Sequence, residues 1–403
     1  MRVFVTDGDQ RATLAVTRSL GKRGIEVLVG EEHEKSLASS SRYCAEHITY
    51  PSPYKHSEDF CEFLLDFSRK ASVDIVLPIT DATTYLTSFH KKELEQYTRL
   101  PIPEFKTFDF VSNKWMLLRY AQDVGIPIPT TYFIDGLQSL SAILNQLEYP
   151  IVVKGGRSRI PLGEGWILTN VHYVASEEEL LQLYRQKRYL RYPSLVQERI
   201  VGPGMGLFVL FNHGELVTTF SHRRLREKPP SGGISVLRES TPVCPDLMDQ
   251  AVRLLRPLGW HGVAMLEYKL DERTAQPILM EVNGRFWGSL DLAIASGMDF
   301  PYLLYKMAIG DDIEVPEAYH VGVKSRWLLG DLDHLLTRLF RKDQELNLPK
   351  GFPSKIKTLL QFLKFYEPRL HYEILSLSDP RPFIYELRQY LAQLHSQNGT
   401  FDE

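Results

Sequence analysis

VAMLEYKLDERTAQPILMEVNGRFWGSLD, residues 263–291, holds two apolar, strand-like runs, VAMLEYKL and PILMEVN, around a polar segment with Asp271 and Pro277 at its edges. That pattern is a β-hairpin with a loop. Thr274, inside the loop, is the midpoint between Glu267 and Glu281, so a symmetric register sets the two carboxylates opposite each other on adjacent strands. Like charges directly opposite across a ladder are destabilising, and burying both is worse unless a cation holds them or one takes up a proton. Asn283 lies two residues after Glu281 and, with a strand period of two, on the same face. Two carboxylates and an amide oxygen make a hard, all-oxygen site of the kind that binds magnesium together with substrate phosphates. Arg285, two residues further on, could grip a phosphate or carboxylate oxygen by a bidentate contact. The competing reading is a surface hairpin whose glutamates are simply solvated.

At 403 residues the chain can bury a large core in two or three domains. A charged fraction of 24% with a net charge of -3 gives no electrostatic case for bulk nucleic-acid binding. The opening MRVFVTDGD reads as a strand running into a turn, without the apolar length or cleavage site of a signal peptide, and no run is long enough to span a membrane. Cys44, Cys61 and Cys244 form no CxxC pair, which argues against a disulfide frame or structural zinc. A cytoplasmic, reducing compartment is the expectation.

Upstream, an apolar run at residues 3–5, helical spacing over 12–20 ending near Gly21 and Gly24, and a second apolar run at 25–29 make a βαβ unit of the kind that builds a parallel sheet. The loop TDGDQRA lacks GxGxxG, which argues against an independent dinucleotide site there. Residues 60–67 have helical spacing and 74–78 read as a buried strand. Thr80 and Asp81, just past it, fall either at the carboxyl edge where open α/β sheets bind ligands or at a helix cap. The character changes around Pro101 and Pro103, and we place a boundary near residue 110. Ser112 is a candidate N-cap for a helix through WMLLRYAQDV. Lys114 then sits in a first turn, where the helix dipole disfavours a cation unless an anion is bound nearby.

The apolar run 150–153 ends in Lys154, followed by Gly155, Gly156 and then Gly163-Glu164-Gly165. Glycines let a loop bring backbone N–H groups close to phosphate. Ser176 with Glu179 makes a capping box, and residues 194–198 read as a strand before a glycine-rich turn at 202–206. Runs 207–211 and 215–220 flank the hairpin signal Asn212-His213-Gly214. They lead to His222, Arg223, Arg224, Arg226 and Lys228 beside Pro229-Pro230-Ser231-Gly232-Gly233, either a closure over an anion or a solvated charged turn. Helical spacing recurs at 246–258, 290–295, 302–307, 327–340 and 356–365. The last, with Lys355, Lys357 and Lys364, is a basic amphipathic helix of the kind that meets a membrane surface or, more often, packs on its own domain.

In chain order, Lys114, Lys154 after a strand, Gln197-Glu198 before a glycine turn, Glu267, and Glu281-Val282-Asn283-Gly284-Arg285 resemble the ATP-grasp superfamily over about residues 1–315. The resemblance is strongest in MEVNGR, which looks like the family's metal-binding E-x-N-x-R strand, and it points to the carbamoyl-phosphate-synthase-like and predicted carboxylate–amine ligase branch. It implies an α/β (α+β ATP-grasp) architecture: a Rossmann-like preATP-grasp domain at 1–110, a two-subdomain ATP-grasp domain at 111–315 with its lid at about 115–200, and a mainly helical C-terminal extension at 316–403. It implies ATP and Mg2+ (or Mn2+) as cofactors, with Lys114 and Lys154 on the phosphates and Gln197, Glu198, Ile200 and Val201 around the adenine. Glu267, Glu281 and Asn283 are the implied metal ligands, and Arg285 the contact to the transferred phosphate or the acid. HRRLREKPPSGGISV looks like the branch's loop over the phosphates, where His222 and Arg224 would add contacts. The chain departs from the family in GGRSRIPLGEG, where many relatives carry a fuller glycine signature, and near Gly206, where a ribose-binding side chain is expected.

The activity so implied is an ATP-dependent ligase that activates a carboxylate as an acyl phosphate and joins it to an amine (or thiol). Its partners are small-molecule acid and amine substrates, with no nucleic acid and no transmembrane segment, and a homodimer is left open. Phosphoryl transfer works mainly by positioning and charge neutralisation, so the lysines, metal and arginine should matter more than any general base. The alternatives are a bicarbonate-activating carboxylase or carbamoylating enzyme of the same fold, and a nucleotide-binding module without chemistry, against which the intact Glu267, Glu281, Asn283 and Arg285 set argues. Substrate choice would fall to the N-terminal domain and to Phe286, Trp287, Ser289 and Asp291.

Overall fold

The computed structural model describes residues 1–398 other than Glu164, Gln344, Asn347, Pro349 and Lys350, with side chains described through residue 394. Part of the Gly163-Glu164-Gly165 turn therefore lies outside the described residues, as does the end of the C-terminal segment.

Three apolar runs and one polar edge strand, β3, form the first sheet. β1 (Arg2–Val5), β2 (Glu26–Glu31), β3 (Glu46–Thr49) and β4 (Ile75–Leu77) pair in the order β3-β2-β1-β4, all parallel. Val3, Val5, Val27 and Val29 face one core with helix Arg11–Gly21, and Phe4, Leu28 and Val76 face another with helix Ser57–Lys70. Covered on both sides, these strands read as continuous apolar runs rather than alternating ones. A Cβ on Gly8 would stand 2.2 Å from Ser36 Oγ, so the glycine of TDGDQRA makes room for a neighbouring segment of the chain itself. Thr80 caps helix Asp81–Phe89 in a reciprocal box with Thr83.

The second sheet comprises β5 (Thr131–Ile134), β6 (Ile151–Gly155), β9 (Val171–Val174) and β10 (Ser194–Glu198), with β7 (Arg159–Pro161) and β8 (Trp166–Leu168) as a separate hairpin between β6 and β9. Its order is β5-β10-β6-β9 and its pairs are antiparallel. The cap of helix Lys114–Asp123 is Asn113, whose Oδ1 accepts from Trp115 N at 3.1 Å. Ser112, expected in that role, instead ends the helix Phe105–Ser112, which is too short for its spacing to stand out. Ser176 caps helix Glu177–Gln186, but the Glu179 carboxylate reaches Ala175 N at 2.7 Å, one residue before the position a capping box uses.

The third sheet holds β11 (Gly204–Asn212), β12 (Glu215–Lys228), β13 (Ile234–Thr241), β14 (Gly262–Leu270), β15 (Pro277–Asn283), β16 (Lys324–Arg326) and β17 (Leu370–Tyr372), in the order β15-β14-β11-β12-β13-β16-β17. His213 (φ 46°) and Gly214 (φ 90°) give the left-handed pair that a tight hairpin turn demands. Leu207, Val209, Phe211, Ala264 and Leu266 pack under helix Pro245–Leu255 on one face. Phe208, Leu210, Val263 and Met265 share the opposite core with helix Arg11–Gly21 and with helix Phe300–Ile309.

Beyond residue 316 the helices Leu328–Phe340, Lys355–Phe362 and Arg381–Asn398 match the helical expectation, but β16 and β17 extend the sheet. At three residues each they leave no readable period. Helix Lys355–Phe362 buries Thr358 and sends Lys355 Nζ to the carbonyls of Leu339 (2.8 Å) and Arg341 (3.3 Å) at the end of the preceding helix, where a cation is favoured. Ile356 and Leu360 stay exposed. Among the described residues no helix is long and apolar enough to cross a membrane.

Candidate active site

The β14–β15 ladder puts Glu267 opposite Glu281 as expected, but through a one-residue bulge: Leu270 pairs with Pro277 and Tyr268 with Leu279, and the register shifts between Tyr268 and Glu267. Gly206 on β11 is the next rung beyond Glu267, and His222 on β12 the one after that. A Cβ on Gly206 would fall 2.6 Å from the Phe208 ring and 2.9 Å from His222 Nε2, both buried. The glycine found where a ribose ligand was expected thus admits the imidazole. Gly206→Ala should destabilise the protein by about 1–3 kcal/mol through overpacking, seen as a lower urea midpoint at unchanged slope; a midpoint equal to wild type would mean the rings yield freely.

Each facing carboxylate has its own cation. Arg224 reaches Glu267 at 2.6 Å and also holds Glu227 at 2.9 Å, while Lys114 reaches Glu281 at 3.0 Å. Burial raises the Glu267 carboxyl, and Arg224 only partly offsets it. Burial also works against an ionised Glu281, but Lys114, Asn283 and Lys154 together outweigh it and hold that carboxyl well below its ordinary range. The expectation that a cation must hold this pair is thus met by arginine and lysine from the chain itself. Asn283 turns its amide nitrogen to Glu281 Oε1 (3.1 Å) and its oxygen to Arg285 (3.2 Å), so a cation shared with Glu281 requires that amide to rotate.

Lys154 ends β6 only 7% exposed, and burial, with Lys114 adding to it, pushes its ammonium down to about 8 against the pull of Glu281. Lys114 Nζ also donates to Ser158 Oγ at 2.7 Å. Gly156 accepts from Lys114 N at 2.6 Å, and a Cβ there would strike Pro193 O at 2.8 Å. That glycine serves the close approach of the lysine's helix as well as the loop.

Lys114, Lys154, Gln197, Glu198, Ile200, Arg224, Glu267 and Glu281 line one cavity of about 450 Å³ between the second and third sheets. Gln197 donates to Thr131 Oγ1 at 2.7 Å while its buried Oε1 has no partner; Glu198 accepts from Thr130 and from Arg273. Val201 falls outside this cavity and lines a smaller one of about 240 Å³ beside it, because the chain turns away after Ile200.

A second cavity, of about 310 Å³, takes in His222, Asn283, Arg285, Trp287 and Ser289 and shares Arg224, Gly233, Glu267 and Glu281 with the first. Both ring nitrogens of His222 are buried without a partner, and burial, then Arg224 and Arg238, holds the imidazole neutral. Arg285 spends its bidentate grip on Asp81, at 2.9 and 3.2 Å, tying the first sheet's carboxyl edge to this cavity. Sequence reasoning placed Asp81 at that edge but not against Arg285.

Three further cationic residues went unread: Lys269, two residues after Glu267 on β14, and Arg199 in the first cavity, and Arg11 in the second. Among the described residues no cluster of three or more His, Cys, Asp or Glu side chains forms a metal cage. A carboxylate pair with one amide fits an ion that takes its remaining oxygens from phosphate and water.

A family model described as "ATP-grasp in the biosynthetic pathway with Ter operon" matches residues 191–329. D-aspartate ligase of Enterococcus faecium is 21% identical over 234 residues, covering 54% of this chain and 55% of that protein. The solved L-amino acid ligase of Bacillus licheniformis superposes with a TM-score of 0.58 at 17% identity, over 76% of this chain and 74% of that one. The biotin carboxylase domain of Hydrogenobacter thermophilus 2-oxoglutarate carboxylase, solved with MgADP, ADP and bicarbonate, gives 0.63 at 15% identity, over 80% of this chain and 73% of that one. The chain spans 20% and 24% of the carbamoyl phosphate synthase large chains among its curated relatives, and about half of D-aspartate ligase.

Proposed function

The chain belongs to the ATP-grasp superfamily, and on that premise we propose that it is an ATP-dependent ligase that activates a carboxylic acid as its acyl phosphate and passes the acyl group to an amine. The observation that carries this reading is the wall shared by the two cavities: Arg224, Gly233, Glu267 and Glu281 border both, so a phosphoryl group leaving the first arrives in the second. In-line transfer between two bound reactants asks for that placement.

In the first cavity Gln197, Glu198 and Ile200 frame the base, and Lys114 and Lys154 hold the phosphates. Glu267, Glu281 and Asn283 would hold Mg2+ (or Mn2+), which when bound neutralises phosphate oxygens. In the second cavity Arg285, still fastened to Asp81, and the neutral His222 orient the acid. A carboxylate oxygen attacks the γ-phosphorus and ADP leaves; the amine then attacks the acyl carbon, loses a proton, and inorganic phosphate leaves. Arg224, between Glu267 and Glu227, faces the transferred group from the third sheet.

With hydroxylamine present, the correct acid should yield hydroxamate and ADP in equal amounts. ADP release without hydroxamate for every acid in a broad screen would remove the acyl phosphate from the scheme. A bicarbonate-activating enzyme is the second reading, favoured by the likeness to a biotin carboxylase domain. A cavity of about 310 Å³ is large for bicarbonate and suits an organic acid better; bicarbonate-dependent ATPase activity would reverse that preference.

A further inference from the structure

A third cavity, of about 510 Å³, opens at the amino end of helix Arg11–Gly21, where Trp327 and the final helix Arg381–Asn398 close over it. It shares Arg11 and Ile234 with the acid cavity and no lining residue with the nucleotide cavity. The three spaces thus stand in series, nucleotide then acid then this one, and the middle space is where an acyl phosphate would form. We propose that the third cavity is the docking site of the nucleophile, and that it selects an amine arriving as its ammonium form, which passes one proton to the Glu386 carboxylate before its freed lone pair attacks the acyl carbon and inorganic phosphate leaves. The proposal rests on the ligase reading and adds to it the place and charge of the second substrate.

The walls supply the chemistry. Glu386 accepts from Trp327 Nε1 at 2.6 Å through one carboxylate oxygen, and its other oxygen is buried with no hydrogen-bond partner. Asp9 adds a second carboxylate, oriented by Leu37 N at 2.9 Å. Leaving a buried carboxylate oxygen unmatched is costly, and burial accordingly pushes the Glu386 carboxyl up to about 7. An ammonium donates the missing hydrogen bonds and the counter-charge in one group; a neutral thiol supplies neither. The indole of Trp327 already carries the Arg11 guanidinium at 4.0 Å and the Lys228 ammonium at 5.5 Å, so it serves here as a wall and the two carboxylates carry the recognition. Arg11 is held on its far side by Glu373 at 2.5 Å, and Glu373 also binds Arg238 at 2.6 Å. That clamp fixes the gatepost between the acid and nucleophile spaces. At about 510 Å³ the space takes a drug-sized or amino-acid-sized body.

The full chain would be assayed with ATP, magnesium and the acid found by hydroxamate formation. Hydroxylamine would compete against the proteinogenic amino acids, ethanolamine and putrescine as amines and N-acetylcysteamine as thiol, and amide, thioester and hydroxamate would be counted by mass spectrometry. Wild type should form amide with at least one amine and no thioester. Glu386→Gln, which removes the charge, and Gln389→Trp, which fills the cavity from the last helix, should each lower the amide-to-hydroxamate ratio about tenfold or more, the effect of losing one charged contact. Because both products come from the same acyl phosphate, partial misfolding of a variant cancels in that ratio. An unchanged ratio in both variants, thioester as the main product, or no amide from any amine overturns the proposal. Absence of hydroxamate from wild type with every acid is a different result and strikes the ligase reading itself.

Discussion

Glu281→Gln should lower ATP- and acid-dependent ADP formation by about 10²–10³-fold while the protein stays folded. The substitution keeps the side chain's size and removes its charge at the wall shared by the nucleotide and acid cavities. Three things fail together: one of two carboxylates opposed across β14 and β15 would no longer hold the proposed divalent ion, Lys114 loses its anion at 3.0 Å, and Lys154 loses the neighbour that favours its charged form. Removing one preorganised electrostatic group from a phosphoryl-transfer site typically costs about 3–4 kcal/mol in the barrier. The measurement is steady-state turnover beside a thermal melt of the same preparation. Turnover within tenfold of wild type in a folded variant would refute the metal assignment.

Lys154→Met should disable the enzyme and stabilise it. In the folded, nucleotide-free protein the buried ammonium sits at about 8, below its ordinary 10.5. Between those two values the unfolded chain keeps a proton that the folded chain has released, so stability climbs as pH rises through that window. Below about 8 the full penalty is present. Methionine removes it and fills similar space, with the gap between about 8 and 10.5 capping the gain at roughly 3 kcal/mol. Urea unfolding at pH 7 and pH 10 would show the variant ahead at the lower pH, with the difference shrinking at the higher. A variant no more stable than wild type at pH 7 would mean the buried lysine is not strained without its ligand. Nucleotide should reverse the order, since phosphate supplies the anion that Lys154 lacks and methionine cannot use it.

The site was legible where its geometry is local. The two apolar runs around Thr274 place Glu267 and Glu281 on neighbouring strands, where a one-residue bulge brings them opposite each other, and a period of two carries Asn283 to the same face. Lys154 stood out because a lysine ending an apolar run has few structural reasons to be there. What stayed hidden depends on packing between distant elements. Asp81 meets Arg285 only when the first sheet docks on the third, and Arg224 neutralises Glu267 only across the β14-β11-β12 rungs. Lys269 follows Glu267 by two on an unbroken strand, and the same alternation that carried Asn283 to the face of Glu281 carries it into the first cavity; the extra residue of the bulge, Met280, lies on β15. Arg11 opens an ordinary amphipathic helix, and nothing in its neighbours announces that Glu373, far along the chain, will turn it toward a cavity. Gly156 shows the reverse error: a glycine read for phosphate is also required for a helix to approach.

β17 is the last rung of the third sheet, and Glu373, the residue after it, clamps both Arg11 and Arg238. On the proposed reading, residues from 366 onward form one wall of the reaction vessel. Grafting a different segment after residue 374, which keeps β17 and Glu373 in place, would be a compact way to re-tool which reagents meet there, whereas cutting the chain before β17 would open the vessel at one end.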